Sequence, residues 1–249
     1  MFLVERHDAI LDILARDGKV RVKDLSDRFH VTEDCIRKDL GALEKQGRLK
    51  RTYGGAVIRR ENPHTIEVSK HRNIDVEAKR RIARAAMHLI HEHDMVFLDI
   101  STSNLAIAEL LVHDERELTV VTNMIDILSI LAQNPKIRVV FVGGVINKSR
   151  DGFWGGMTLD LISRLKPDIV GAVGVDVKEN SVSTYDIEDG INKAAIIRVS
   201  KRAYVVAEAR KLSSDGNYNY VTLDTLSGLI TDSRPAADIC QAAEDYGVD

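Results

Sequence analysis

A chain of 249 residues, 44% hydrophobic and 29% charged, has room for two modest domains or one large one, with enough apolar content for a buried core. Its formal charge of −3 is unevenly spread: residues 1–60 hold 14 Lys and Arg against 10 Asp and Glu, whereas the other 189 hold 21 against 28. No run approaches the roughly 18 apolar residues that cross a bilayer, and the charged start Glu5-Arg6-His7-Asp8 excludes a signal peptide's apolar region, so a cytoplasmic protein with no membrane partner is expected. Cys35 and Cys240 lie far apart without metal-ligand spacing, which predicts reduced core residues, no metal and no cofactor.

The first 60 residues read as a small helical head. Residues 5–16 form an amphipathic helix with Ile10, Ile13 and Leu14 inward and Gly18 closing it; its role is packing, with Arg6 within reach of a phosphate. Val20-Arg21-Val22 alternates as a short strand suited to pair with a wing. A helix over 22–29 carries Leu25 and Phe29 at i, i+4 spacing. Thr32 then caps a second helix, because its hydroxyl accepts one of the unpaired N–H groups that open a helix, and Asp34 in the first turn suits the helix dipole. On that helix Ile36, Leu40 and Leu43 share a face that must be buried, and Asp34, Arg37, Lys38, Gly41 and Lys45 share the opposite one. Gly47 is a natural stop. Arg48, Lys50 and Arg51 lead into Tyr53-Gly54-Gly55, the turn of a two-stranded basic wing.

A helix with an exposed basic face beside a basic wing fits a DNA major groove and its flanking phosphates. The bland alternative is a small helical domain with a solvated charged face. The candidate DNA-contacting residues are Thr32, Asp34, Arg37, Lys38, Lys50, Arg51 and Tyr53, with Arg37 and Lys38 near base edges and Lys50, Arg51 and Tyr53 on the backbone. A basic head on an acidic body is the charge distribution such a protein would show.

From 59 the apolar pattern fades, and Arg59-Arg60-Glu61-Asn62-Pro63-His64 reads as a hinge into a linker reaching 76. A helix over 77–91 follows, with Ile82, Ala85, Ala86, Leu89 and Ile90 as its stripe and a charged start, Glu77-Ala78-Lys79-Arg80-Arg81, that reads as a solvated face. Beyond it, short mostly apolar runs at 95–99, 118–123, 137–144, 168–175, 203–207 and 226–231 alternate with helices at 105–111, 125–132, 159–165 and 193–202. That rhythm predicts a mostly parallel sheet covered on both faces, an α/β domain with Rossmann-like layering. The domain organisation expected is therefore 1–58 for the head, 59–76 for the linker and 77–249 for the body.

In an open α/β sheet ligands sit outside the carboxyl ends of the strands. The residues there are Asp99-Ile100-Ser101-Thr102-Ser103-Asn104, Thr122-Asn123, Gly143-Gly144, Gly174-Val175-Asp176 and the segment 208–211. Three hydroxyls between a strand and a helix suit a phosphate at a helix N-terminus; a cap accounts for one of them. Without a GxGxxG or Walker sequence, a phosphorylated small molecule fits better than a dinucleotide or nucleoside triphosphate. Lys193, read as opening the 193–202 helix, and Lys211 would complete such a site, and Asp99, Asp176 and Glu188 are candidates to accept from sugar hydroxyls. Trp154 in Gly152-Phe153-Trp154-Gly155-Gly156 is either a loop anchor or a flap.

Val31 to Leu40, followed by Arg51-Thr52-Tyr53-Gly54-Gly55-Ala56, resembles the winged helix-turn-helix signature of the DeoR family of bacterial transcription regulators. Cys35 stands where that family has threonine, Lys38 where a second arginine is usual, and Tyr53 where histidine is common. The resemblance extends to the body, where Asp99-Ile100-Ser101-Thr102-Ser103-Asn104 meets the family's Asp-x-Gly-Thr-Thr-Thr loop with Ser101 in place of glycine. Thr122-Asn123, Gly143-Gly144 and Gly174-Val175-Asp176 match, and Glu208-Ala209-Arg210-Lys211 stands for Asp-x-Ser-Lys. The resemblance implies a body folded like ribose-5-phosphate isomerase and coenzyme A transferases. It also implies a non-enzymatic regulator, a repressor of a carbohydrate-catabolism operon, that binds double-stranded operator DNA and a phosphorylated sugar as a homo-oligomer, dimer or tetramer. A phosphosugar isomerase-like enzyme with an appended DNA-binding domain is the alternative.

Overall fold

The computed structural model describes residues 3–45, 48–57, 72, 74–149, 151–172, 176–178, 180–214 and 216–249. Its contacts divide into two units, Met1–Asn62 and Pro63–Asp249. Gly47, the hinge at 59–64, most of the linker, and Gly174-Val175 lie outside the described residues.

The first unit runs α1 (Leu3–Asp17), β1 (Lys19–Arg21), α2 (Val22–Phe29), α3 (Glu33–Lys45), β2 (Lys50–Thr52) and β3 (Gly55–Val57). Ile10 and Leu14 of α1, Leu25 of α2 and Ile36, Leu40 and Leu43 of α3 meet in one core with Leu49 and Ala56. Each such burial contributes about 2 kcal/mol of transfer free energy. The Thr32 hydroxyl accepts from the Cys35 N–H at 3.3 Å, and His30 in the left-handed region turns the chain between α2 and α3. The wing gains a strand, because β1 pairs antiparallel with β3 to give the order β1-β3-β2. Gly55 is required there: a Cβ would stand 2.0 Å from the Val20 carbonyl oxygen.

Arg6 is not available to a phosphate. Its Nε donates to Asp39 at 2.7 Å and its Nη2 to Asp39 at 3.2 Å and to Cys35 Sγ at 3.3 Å, with His7 Nε2 also 3.2 Å from Asp39. Both Arg6 and Asp39 are buried. The pair clamps α1 to α3 from the interior, where desolvation makes a charged partner obligatory.

The second unit contains α4 (Val76–Met87), β4 (Met95–Leu98), α5 (Thr102–Leu111), β5 (Leu118–Thr122), α6 (Ile125–Leu131), β6 (Ile137–Phe141), β7 (Val145–Ile146) and β8 (Phe153–Trp154). There follow α7 (Gly156–Ser163), β9 (Ile169–Ala172), β10 (Asp176–Lys178), β11 (Ser181–Thr184), α8 (Ile187–Val199), β12 (Arg202–Val206), β13 (Tyr218–Thr222), β14 (Gly228–Ile230) and α9 (Ala237–Asp245). Six strands form a parallel sheet in the order β14-β12-β9-β4-β5-β6. The order reverses between β4 and β9, so the crevice at a doubly wound sheet's switch point lies at the ends of those two strands. Strand residues alternate between faces: Val96, Leu98 and Val120 pack with α4, α5 and α6, whereas Phe97, Val121 and Val170 pack with α7, α8 and α9.

Four expectations change. The helix read over 77–91 ends at Met87, with Ala83 buried where Ala85 was expected and Lys79 buried, not solvated. The helix placed at 159–165 spans Gly156–Ser163. The helix read over 193–202 begins at Ile187, capped by Asp186 accepting from the N–H groups of Glu188 at 2.9 Å and Asp189 at 3.2 Å, so Lys193 lies mid-helix. A three-stranded antiparallel sheet, β10-β11-β13, was not expected, because Ser181-Val182-Ser183-Thr184 lacks a continuous apolar run.

Replacing Asp39 by alanine strands a buried guanidinium. The expected loss is about 3 kcal/mol of the first unit's stability, read as an earlier urea transition; an unchanged transition would remove the clamp from the account.

Candidate functional site

Two surfaces bring together residues singled out from the sequence. On the first unit, Asp34, Arg37, Lys38 and Lys45 are exposed along α3, and Lys50, Arg51 and Tyr53 are exposed on the wing. Arg37 is held within its own helix by Glu33 and by Asp34 at 2.7 Å. Such exposed pairs contribute little, so this guanidinium exchanges partners at small cost. Among the described residues Lys38 forms no ion pair. Glu44 accepts the Arg51 N–H at 2.8 Å, which fixes the root of the wing to α3.

On the second unit, the carboxyl edge of the sheet is a continuous polar network. Asp99 ends β4, and Lys193 of α8 donates to it at 2.7 Å and also to Asp189. Thr184 of β11 donates to Asp189 at 2.7 Å. Asn123, at the end of β5, donates to Asp99 at 3.1 Å and to the Phe153 carbonyl at 3.2 Å. Lys193 is 2% exposed. Burial alone would lower its pKa, but Asp189 and Asp99 outweigh that and hold the ammonium above its ordinary value. Burial pushes the nearby Tyr220 phenol up.

The switch-point crevice is bridged by Asn104, whose amide donates to the Asp99 carbonyl at 2.8 Å and the Gly171 carbonyl at 2.7 Å. Ser101 is the cap of α5, accepting from the Asn104 N–H at 3.0 Å, and Thr102 and Ser103 form its first turn. Thr122 donates to the Leu98 carbonyl at 2.7 Å and accepts from the Met124 N–H at 3.1 Å. Gly143 accepts from the Thr158 hydroxyl at 3.0 Å, and a Cβ at Gly144 would stand 2.1 Å from that oxygen.

Lys211 belongs to a second cluster beyond β12. It pairs at 2.7 Å with Glu208, which is buried and also has Arg210 at 3.8 Å and Lys79 at 4.0 Å. Desolvation lowers the Lys79 pKa against the pull of Glu208. Glu188 is exposed on the first turn of α8. Asp176 begins β10, and its side chain lies outside the described residues. Trp154 sits in a short strand paired with Val145, a fixed position in a ribbon.

Sequence reasoning missed Asp189, Tyr220, Lys79 and Asp39, and it placed Asn104 at the sheet edge without its bridge to Gly171. Asp189 had a signal, an acid four residues before Lys193 on one helix face. Asp39 had one too, as a charge three residues after the buried Ile36. The others depend on contacts between distant segments.

The DeoR-like helix-turn-helix domain model matches residues 6–62, and the DeoR C terminal sensor domain model matches residues 74–233. The HTH-type transcriptional repressor GlcR of Bacillus subtilis is 31% identical, across 100% of this chain and 96% of that one. The glycerol-3-phosphate regulon repressor of Escherichia coli is 28% identical, across 98% and 96%. Ribose 5 phosphate isomerase A from Neisseria gonorrhoeae is 16% identical, covering 56% of this chain and 54% of that one with a TM-score of 0.41, a likeness too distant to bear on chemistry. Among the described residues no helix is long and apolar enough to cross a membrane. With both halves matched in order and a relative aligned from end to end, the chain belongs to the DeoR family of transcriptional regulators.

Proposed function

We propose that this chain is a cytoplasmic, non-enzymatic repressor whose head, residues 1–58, binds double-stranded operator DNA. Its body, residues 77–249 beyond a linker at 59–76, binds a phosphorylated sugar or related metabolite and associates with other copies as a dimer or tetramer. The observation that carries the reading is the exposure of Arg37 and Lys38 on α3 together with Lys50, Arg51 and Tyr53 on the adjoining wing. Arginine and lysine read guanine in the major groove, and the wing cations neutralise phosphates. Relatives aligned over 96% and 92% of their own length are named as a regulon repressor and a putative operon repressor, which supports the same role here.

In the body, the phosphate is assigned to the first turn of α5, where the N–H groups of Thr102 and Ser103 and their hydroxyls open the helix. Thr122, Gly143 and Gly144 shape the walls, and Asn123 and Asp99 face the metabolite's hydroxyls. Lys193 acts through Asp99: enclosed by two carboxylates, it orients the acid and does not reach a phosphate. Lys211 is the mobile cation, held by Glu208 until an anion competes for it. The isomerase reading is not favoured, because it needs a free general base, and the Asp99 carboxylate is already engaged by Lys193 and Asn123.

The test is fluorescence anisotropy on DNA from upstream of the chain's own gene, against excess unrelated DNA, at several salt concentrations and with a panel of sugar phosphates. Binding that survives competitor and changes with one compound is expected; no specific binding would overturn the reading. Arg37→Ala or Lys38→Ala is expected to weaken specific binding by about 1–3 kcal/mol. Lys50→Ala should weaken binding uniformly across sequences and reduce the salt slope by about 1. Lys193→Met leaves the buried Asp99 and the half-buried Asp189 without a cation, so the second unit should lose about 3 kcal/mol in urea unfolding; a loss below about 1 kcal/mol would deny Lys193 its orienting role.

A further inference from the structure

Among the described residues, six of the ten exposed large apolar side chains fall on neighbouring elements of the second unit. Met157 and Leu161 project from α7 at i, i+4 spacing, and Ile187 and Ile191 project from α8 at the same spacing. Val145 and Ile146 form the outer strand of the β7–β8 ribbon, which runs directly into α7. The elements touch one another: α7 packs on α8, β8 meets both helices, and the Val145 methyl lies 3.7 Å from where a Cβ of Gly155 would stand. Met157 is 74% exposed, Val145 63% and Ile187 58%.

Each helix turns two large apolar side chains to solvent beside its charged residues, where a surface helix usually keeps polar residues alone. The six residues expose on the order of 600 Å², as much as the largest single patch on a typical monomer and most of the roughly 800 Å² that one partner gives a standard interface. Of the charged residues among them, Arg164 pairs with Asp160 on its own helix at 3.0 Å, while Glu188 and Lys148 carry opposite signs, which suits an isologous contact in which each copy offers the same surface.

We infer that this face of α7, α8 and the β7–β8 ribbon is the surface on which a second copy of the chain docks. The inference rests on the oligomeric part of the function proposed above and locates it. It also joins the interface to the carboxyl-edge network. The helix that presents Ile187 and Ile191 carries Asp189 and Lys193 on its inner side, and the ribbon's Phe153 carbonyl accepts from Asn123. A metabolite that shifts α8 or the ribbon shifts the contact between copies.

The experiment is sedimentation velocity on the full chain across the micromolar range, comparing the unmodified protein with Met157→Glu/Ile191→Glu, Ile187→Glu alone and Val76→Glu. Val76 is exposed but belongs to α4, on the sheet's other face. The unmodified chain and Val76→Glu should associate alike. The double variant should associate at least about 30-fold more weakly, with an unchanged melting temperature, and Ile187→Glu should fall between. Association of the double variant at the unmodified level, or an unmodified chain that stays monomeric, would overturn the inference. A half-site duplex separates this from the operator reading: the double variant should bind it as the unmodified chain does, and lose only its advantage on paired half-sites. Failure of every form to bind either duplex would strike the operator reading and leave the interface standing.

Discussion

A lysine ammonium enclosed by two carboxylates ties the first βα unit of the body to a helix 94 residues further along the chain. Each of these charges alone would be costly to bury; together they are tolerable only while all three stay in register. Asp99 fixes where β4 ends, Lys193 fixes how α8 lies over the sheet, and Asp189 passes the constraint to Thr184 on β11. Asn123 adds the end of β5 and the β8 ribbon. The ends of β4, β5 and β9 are thus linked to α8, β8 and β11, so a ligand held by one of these elements bears on the others.

The two units use buried charge in the same way. In the first, Arg6 and Asp39 lock α1 behind α3, which leaves α3 free to present its other side. In the second, Lys193 and Asp99 lock α8, which leaves its outer side apolar and uncovered. A rigid inner contact with an unspent outer face suits a part that must dock elsewhere. The surfaces differ in chemistry: one is basic and polar, the other apolar with mixed rim charges.

Much of the fold was legible from the chain alone. The parallel strands announced themselves as short continuous apolar runs, since both of their faces are covered. The recognition helix and wing were legible because cap, stripe and turn followed one another within 25 residues. Legibility failed where structure depends on long-range pairing. The strand at 181–184 is polar and exists because it pairs with residues 218–222. Helix α8 was started too late because Ile187 and Glu188 look like loop beside an acidic stretch, although Asp186 is a regular cap. The positions along the sheet edge were foreseen by rule, but the burial of Lys79 and Lys193 was not. A lysine reads as a surface residue until its carboxylate partner, distant in sequence, is known.

The site proposed for a phosphorylated metabolite is the carboxyl edge around α5 and α8. Hydrogen exchange on the full chain, with and without the sugar phosphate that alters DNA binding, tests it most directly. Slowed exchange confined to 99–104, 122–124 and 187–199 is expected. Slowing at the opposite end of the sheet, around 112–115 and 133–136, with the carboxyl edge unchanged, would contradict it.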